Sequence, residues 1–257
     1  MKKRMGTGLI VVMLIIFLVS SGMVVNKAFE YRQGQQTYDD AQQLAGMENY
    51  ESETPETIET TAIPEEILKT LKEIDLEDLQ EKNKDVFGWI LIPGADISYP
   101  LVDGEDNTYY LTHTWDKKWN YMGSIFLEQE CKADLSDFNT IIYGHNMKDK
   151  TMFSNLKKYM DEDFLDTAPY IYISTEESVR RYDIFSAYEV AVNGHAFWIH
   201  VKDEDYKQKF IDNSIEMSEV RISVVPQITD HIITLSTCTG NGHEKRMVVQ
   251  AVLTGEE

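Results

Sequence analysis

Cysteine is scarce: the 257 residues contain two, Cys131 and Cys238. That excludes a disulfide-stapled scaffold. It also leaves no paired, closely spaced ligands for zinc, since Cys238 has only His243 near it in sequence, and no metal or cofactor is expected. Positive charge is scarce as well. Three of the 24 Lys and Arg lie in the first 26 residues, leaving 21 against all 44 Asp and Glu, a net of −23. A nucleic-acid binder needs a basic footprint, so that class is excluded. The acidity itself reads as solubility. No internal repeat is evident.

What is present begins at the N-terminus. Lys2-Lys3-Arg4 precedes residues 5–25, 21 residues without a charge and rich in Ile, Val, Leu and Met. At about 1.5 Å per residue this stretch crosses a hydrocarbon core of about 30 Å. A cleaved signal peptide normally has a shorter apolar core and a small-x-small site, and Val24-Val25-Asn26-Lys27 is a poor one. The expectation is an uncleaved, single-pass membrane anchor. Basic residues before the span and acidic sequence after it put the N-terminus in the cytoplasm and the rest outside the cell membrane.

Beyond the anchor, residues 26–45 are rich in Gln and Asp with scattered aromatics, which suggests a short helix near the membrane. Residues 46–63 are acidic and Thr-rich with little to bury, and read as a flexible stalk. Pro64-Glu65-Glu66 then opens a helix, with Ile67, Leu71 and Ile74 at helical spacing. The division expected is 1–26 for the cytoplasmic tip and anchor, 27–63 for the juxtamembrane segment and stalk, and 64–257 for the folded domain. Within that domain a helix covers 64–85 and strands cover 86–254. The candidate strands are 88–92, 99–102, 123–127, 140–143, 170–174, 181–192, 223–225, 232–237 and 246–253. Helices are expected over 152–160 and 203–217. Periodicity alone says mostly β with several helices.

Three residues carry the chemistry. Cys238 ends the β-branched run that starts at Ile232. Arg246 stands eight residues later, at the start of a second apolar run. Ile141-Ile142-Tyr143 makes a third run and ends in Gly144-His145-Asn146. A thiol, an imidazole and a guanidinium at three strand ends suit one acyl-transfer site, where a thiolate attacks a carbonyl and the imidazole moves the proton. Each has a plainer reading. A lone strand-end cysteine is often a small buried hydrophobe. Arg246 can be a surface cap, a role that Lys245 would serve equally. His243 is nearer to Cys238 than His145, but sits in a polar turn; His113, His195, His200 and His231 are further competitors. Thr237 should point to the opposite face of its strand from the cysteine, and Ser236 shares the thiol's neighbourhood only if the strand bends. Pairing the two cysteines would lock the best nucleophile in a bridge, so Cys131, flanked by Glu130 and Lys132, reads as a structural or partly exposed thiol.

The string Thr234-Leu235-Ser236-Thr237-Cys238, followed by Arg246-Met247-Val248-Val249 and preceded by Tyr143-Gly144-His145-Asn146-Met147, resembles class B sortases. These are membrane-anchored cysteine transpeptidases of Gram-positive bacteria. Phe87-Gly88-Trp89-Ile90, Asp106-Asn107-Thr108-Tyr109-Tyr110-Leu111 and Asn120-Tyr121-Met122-Gly123 extend the likeness from about Val86 to Leu253. The resemblance implies an eight-stranded β-barrel with an N-terminal helical region and a helix in the connection before the cysteine strand. It implies Cys238 as nucleophile, His145 as acid and base, and Arg246 as oxyanion and substrate clamp, with His113 structural. It also implies a groove formed by Asn107, Leu111, Tyr143, Ser236 and Thr239, the last standing where some relatives have an acid. Phe197 and Trp198, just before the connecting helix, become the expected apolar contacts for the signal. The implied partners are secreted proteins with a C-terminal sorting motif, cleaved after a Thr, and an amine acceptor on a cell-wall precursor or a pilin. A murein L,D-transpeptidase would carry His-Gly directly before its cysteine, where this chain has Ser236-Thr237. A membrane-tethered cysteine peptidase and a non-catalytic surface binding module remain the alternatives.

Overall fold

A computed structural model describes residues 2–47, 62–240 and 244–257. Most of the stalk expected over 46–63, and His243, lie outside these described residues.

The chain opens with one unbroken helix, α1 (Lys2–Leu44). Its apolar half is exposed from Leu9 to Val25, and it is long and apolar enough to cross a membrane. The helix expected over 26–45 is its second half, continuous with the apolar run. Gly34, Thr37, Tyr38, Ala41 and Ala45 are buried at helical spacing, and that narrow stripe of mostly small side chains lies directly on the barrel. A Cβ on Gly34 would meet the Met122 sulfur at 2.3 Å, so any larger residue would push that side chain aside. Tyr38 donates to the Gly123 carbonyl, and the Trp115 indole donates to the Thr37 carbonyl at 2.9 Å. Residues 27–45, the expected juxtamembrane segment, therefore pack against the domain.

Two short helices follow, α2 (Glu65–Lys72) and α3 (Leu76–Lys82). Asp75 caps α3 by accepting from the Asp78 amide at 3.0 Å. Ile67, Leu71, Leu76 and Leu79 face inward.

Eight strands close into a barrel: β1 (Val86–Ile92), β2 (Ile97–Val102), β3 (Ile125–Leu127), β4 (Asn139–Tyr143), β5 (Tyr170–Thr175), β6 (Val179–Ala191), β7 (Ile232–Cys238) and β8 (Lys245–Glu256). Their order around the barrel is β1-β2-β3-β4-β7-β8-β6-β5. Two neighbouring pairs, β2–β3 and β4–β7, are parallel, and the rest are antiparallel. Parallel neighbours need long crossovers, which accounts for the chain between Tyr143 and Ile232. Every residue of β4 and β7 is buried except the last of each. Strands covered on both faces read as continuous apolar runs, and these two were the clearest in the sequence. Register shifts at Arg181/Tyr182 and Ile184/Ser186 bend the 13-residue β6 around the barrel.

No strand forms over 223–225. Val225 is 64% exposed, and the segment finds no neighbour to pair with. The helix expected over 152–160 is a 3₁₀ turn, Ser154–Met160, followed by α4 (Glu162–Thr167). The helix before the cysteine strand is α5 (Glu204–Met217), capped by Asp203, which accepts from the Asp205 and Tyr206 amides. Phe210 and Ile211 are buried among Phe185, Ile232 and Val252. Tyr206, one turn before Phe210, is 58% exposed.

Candidate active site

The topology brings three strand ends together. Because β4 and β7 run parallel with Tyr143 opposite Ser236, the residues that follow each strand emerge at the same end. The Gly144 amide still donates to the Ser236 carbonyl at 3.1 Å, and Asn146 Nδ2 donates to the Cys238 carbonyl at 2.6 Å. Across the antiparallel β7–β8 ladder, Cys238 pairs with Arg246. His145, Cys238 and Arg246 line one cleft of about 370 Å³.

His145 is held from two sides. Its Nε2 lies 2.7 Å from the Leu111 carbonyl oxygen. A carbonyl only accepts, so Nε2 carries the proton and a neutral ring keeps Nδ1 to take one up. Gly123, at φ +58, packs so closely that a Cβ there would meet the ring carbon Cδ2 at 2.9 Å and the Tyr110 carbonyl at 2.5 Å. Only glycine fits both the backbone and the space.

The two cysteines differ in surroundings. Cys238 is half-buried at the cleft. Cys131 is buried, accepts from the Ile141 amide and donates to the Asn139 carbonyl. Burial pushes its thiol from 9.0 up to about 12, with the amide bond opposing the rise. It is an inert structural thiol. Lys245 turns toward Glu189, 3.9 Å away, whereas its neighbour Arg246 lines the cleft.

The competing histidines in the described residues lie elsewhere. His113 stacks on Tyr109 with ring centroids 4.0 Å apart, and His231 bonds the Asp137 carbonyl. His195 packs beside Tyr188, where burial lowers its pKa, and His200 sits 3.4 Å from Glu130.

Of the expected groove residues, Asn107, Leu111, Tyr143, Phe197 and Ser236 line the cleft. Thr239 is buried rather than cleft-lining. Trp198 is also outside. The 3₁₀ turn His195–Phe197 separates the two neighbours, sending Phe197 to the cleft while Trp198 packs edge-on to Tyr206 of α5. No α5 residue reaches the lining. Thr237, assigned by strand alternation to the far face, does reach it, because the cleft wraps the end of β7. The hydroxyls of Ser236 and Thr237 are buried without a hydrogen-bond partner.

Phe126, Glu128, Glu130, Val192 and Ile199 also line the cleft and were missed by sequence reasoning. Glu128, 7% exposed, accepts from Asn107 Nδ2 at 2.6 Å on one oxygen and from the Tyr143 hydroxyl at 2.8 Å on the other. Burial and this bond push the Tyr143 phenol well above its usual value, so it remains a donor. An acid after a three-residue strand carries no signal of this role in sequence.

Comparison with known proteins decides the family. A model of the sortase domain matches residues 90–254. This chain belongs to the sortase family. It is 36% identical to sortase B of Listeria monocytogenes over 260 residues, 98% of each chain. It is 31% identical to sortase B of Staphylococcus aureus, over 68% of this chain and 72% of that one. The fold matches a substrate complex of the S. aureus protein with TM-score 0.72 at 26% identity, over 88% of this chain and 98% of the other. The chain is thus a class B sortase and a cysteine transpeptidase, built on the eight-stranded barrel that the resemblance implied.

Proposed function

We propose that this sortase cleaves the C-terminal sorting signal of secreted proteins after a Thr and passes the new acyl group to an amine on a cell-wall precursor or a pilin. The observation that carries the reading is the convergence of His145, Cys238 and Arg246 on one cleft from the ends of β4, β7 and β8. Solved structures of sortase B with a substrate and with triglycine support a peptide donor and an amine acceptor by analogy.

In this mechanism His145 Nδ1 takes the Cys238 proton, and the thiolate attacks the threonine carbonyl. Arg246 stabilises the developing oxyanion, a task for which its fixed charge and several donors suit it. His145 returns the proton to the leaving amine as the C–N bond breaks, leaving a thioester on Cys238. An incoming amine then attacks the thioester, gives its proton to Nδ1 and releases the thiol. Phe197 and Leu111 supply apolar contact to the signal. The unpaired hydroxyls of Ser236 and Thr237 offer bonds to its backbone, since buried hydroxyls otherwise stand at a cost. Residues 5–25 anchor the enzyme, with the N-terminus cytoplasmic and the barrel outside.

The test is product analysis with a sorting-signal peptide and a graded amine. Product that shifts from acid to amide as amine rises supports transpeptidation. Acid alone at every amine concentration would mean a cysteine peptidase, and no cleavage with peptide bound would mean a binding module.

A further inference from the structure

Helix α1 runs unbroken from its apolar half into the barrel, which fixes how far the barrel can lie from a bilayer. The uncharged run ends at Val25. Two residues on, Lys27 Nζ sits 5.3 Å from the centre of the Tyr121 ring. Five residues on, the Glu30 carbonyl accepts from Asn120 Nδ2 at 2.9 Å. At about 1.5 Å per residue these contacts fall roughly 3 and 7.5 Å past the end of the span. The polar layer on each side of the hydrocarbon core is about 5–8 Å deep. On a span that ends at Val25, the loop between His113 and Gly123 would lie at headgroup depth.

That loop has the composition of an interfacial surface. Trp119 is 51% exposed and Tyr121 52%, with ring centroids 4.8 Å apart. A bridge from His113 to Trp119 and the bond from the Asn120 amide to the Thr112 carbonyl keep it folded. Its two lysines are already paired, Lys117 with Asp85 and Lys118 with Asp116, so attraction to anionic lipid is not its principal means of contact. Tryptophan and tyrosine favour the boundary between acyl chains and headgroups, where the ring is apolar and its N–H or O–H stays wet.

We infer that Trp119 and Tyr121 form a membrane-contact surface that seats the barrel on the bilayer holding α1. The inference rests on reading residues 5–25 as a membrane span and on the proposed transpeptidase. It deepens that proposal because the seat and the cleft wall are one piece. Met147, two residues past His145, shares a crevice with Lys27, Tyr31 and Met122, and Gly123 presses on the His145 ring. Gly123 thereby ties the seated loop to the ring that lines the cleft.

The test uses the full chain in phosphatidylcholine nanodiscs, with and without bromine on the upper acyl chain, reading tryptophan emission. Trp89 and Trp115 are buried, and Trp198 is packed against α5, so Trp119 dominates any contact quenching. Bromine is expected to lower the emission of the native chain, and Trp119→Phe to remove most of that loss. Equal quenching in both chains, with both floating with the discs, would overturn the inference alone. Failure of the chain to float with lipid would overturn the anchor and the inference together, while peptide cleavage by the same sample in detergent reports separately on the transpeptidase. Shielding of Trp119 that depends on two chains per disc would assign the patch to self-association instead.

Discussion

Asn146 reaches across from the end of β4 and donates to the Cys238 carbonyl oxygen at 2.6 Å. The side chain next to His145 is thereby tied to the backbone of the thiol residue, coupling the two strand ends whose spacing the chemistry needs. Removing it in Asn146→Ala leaves a part-buried carbonyl without its donor, at a cost of about 1–3 kcal/mol. We expect kcat to fall at least about tenfold, equal to ~1.4 kcal/mol of transition-state stabilisation, with little change in peptide binding. Steady-state kinetics with a sorting-signal peptide check this; an unchanged kcat would make the bond purely structural.

Arg246→Lys keeps the charge but loses the planar fork, and the two are not equivalent at a directed site. Turnover should drop by at least about tenfold, on the scale of ~1.4 kcal/mol. Lys245→Ala, whose side chain points to Glu189, should leave turnover unchanged. Near-normal rates for Arg246→Lys would return Arg246 to a surface role.

The thiols should separate by pH. With its pKa lifted from 9.0 to about 12, folded Cys131 stays protonated where an unfolded chain would lose its proton. A folded pKa raised in this way gives stability that is complete below pH 9 and is lost as pH rises from 9 toward 12. The stability of the native chain should therefore fall faster with pH in that window than the stability of Cys131→Ala. At pH 8, iodoacetamide should label Cys238 and spare Cys131 until the chain is unfolded.

Phe197 and Trp198 should part company although they are adjacent. Phe197→Ala removes a cleft wall and should weaken peptide binding and broaden the preferred motif. Trp198→Ala removes packing against Tyr206 and should cost about 1–2 kcal/mol of stability without altering motif preference. Motif profiling with a peptide library, beside thermal melts, distinguishes the two.

The same pair marks where the sequence stops being legible. Strands buried on both faces, β4 and β7, spell themselves as apolar runs, and the residues that end them were readable for the same reason. Trp198 was not, because one 3₁₀ turn sends consecutive side chains to different sides. The second half of α1 looked polar because its buried stripe is built mostly of Gly34, Thr37, Ala41 and Ala45. Small residues are weak signals of burial until the surface they meet is known. Glu128 was hidden because its role exists only once Asn107 and Tyr143 arrive from other parts of the chain. Residues 223–225 had the residues of a strand and no neighbour to pair with.

The central claim is that Cys238 carries the acyl group between two amines. Intact-mass analysis of the enzyme mixed with a sorting-signal peptide, quenched early and digested, tests it directly. The account predicts an adduct with the mass of the peptide's N-terminal portion on Cys238, absent in Cys238→Ala and cleared by added amine to give an amide product. An adduct on Cys131, or cleavage that persists in Cys238→Ala, would contradict it.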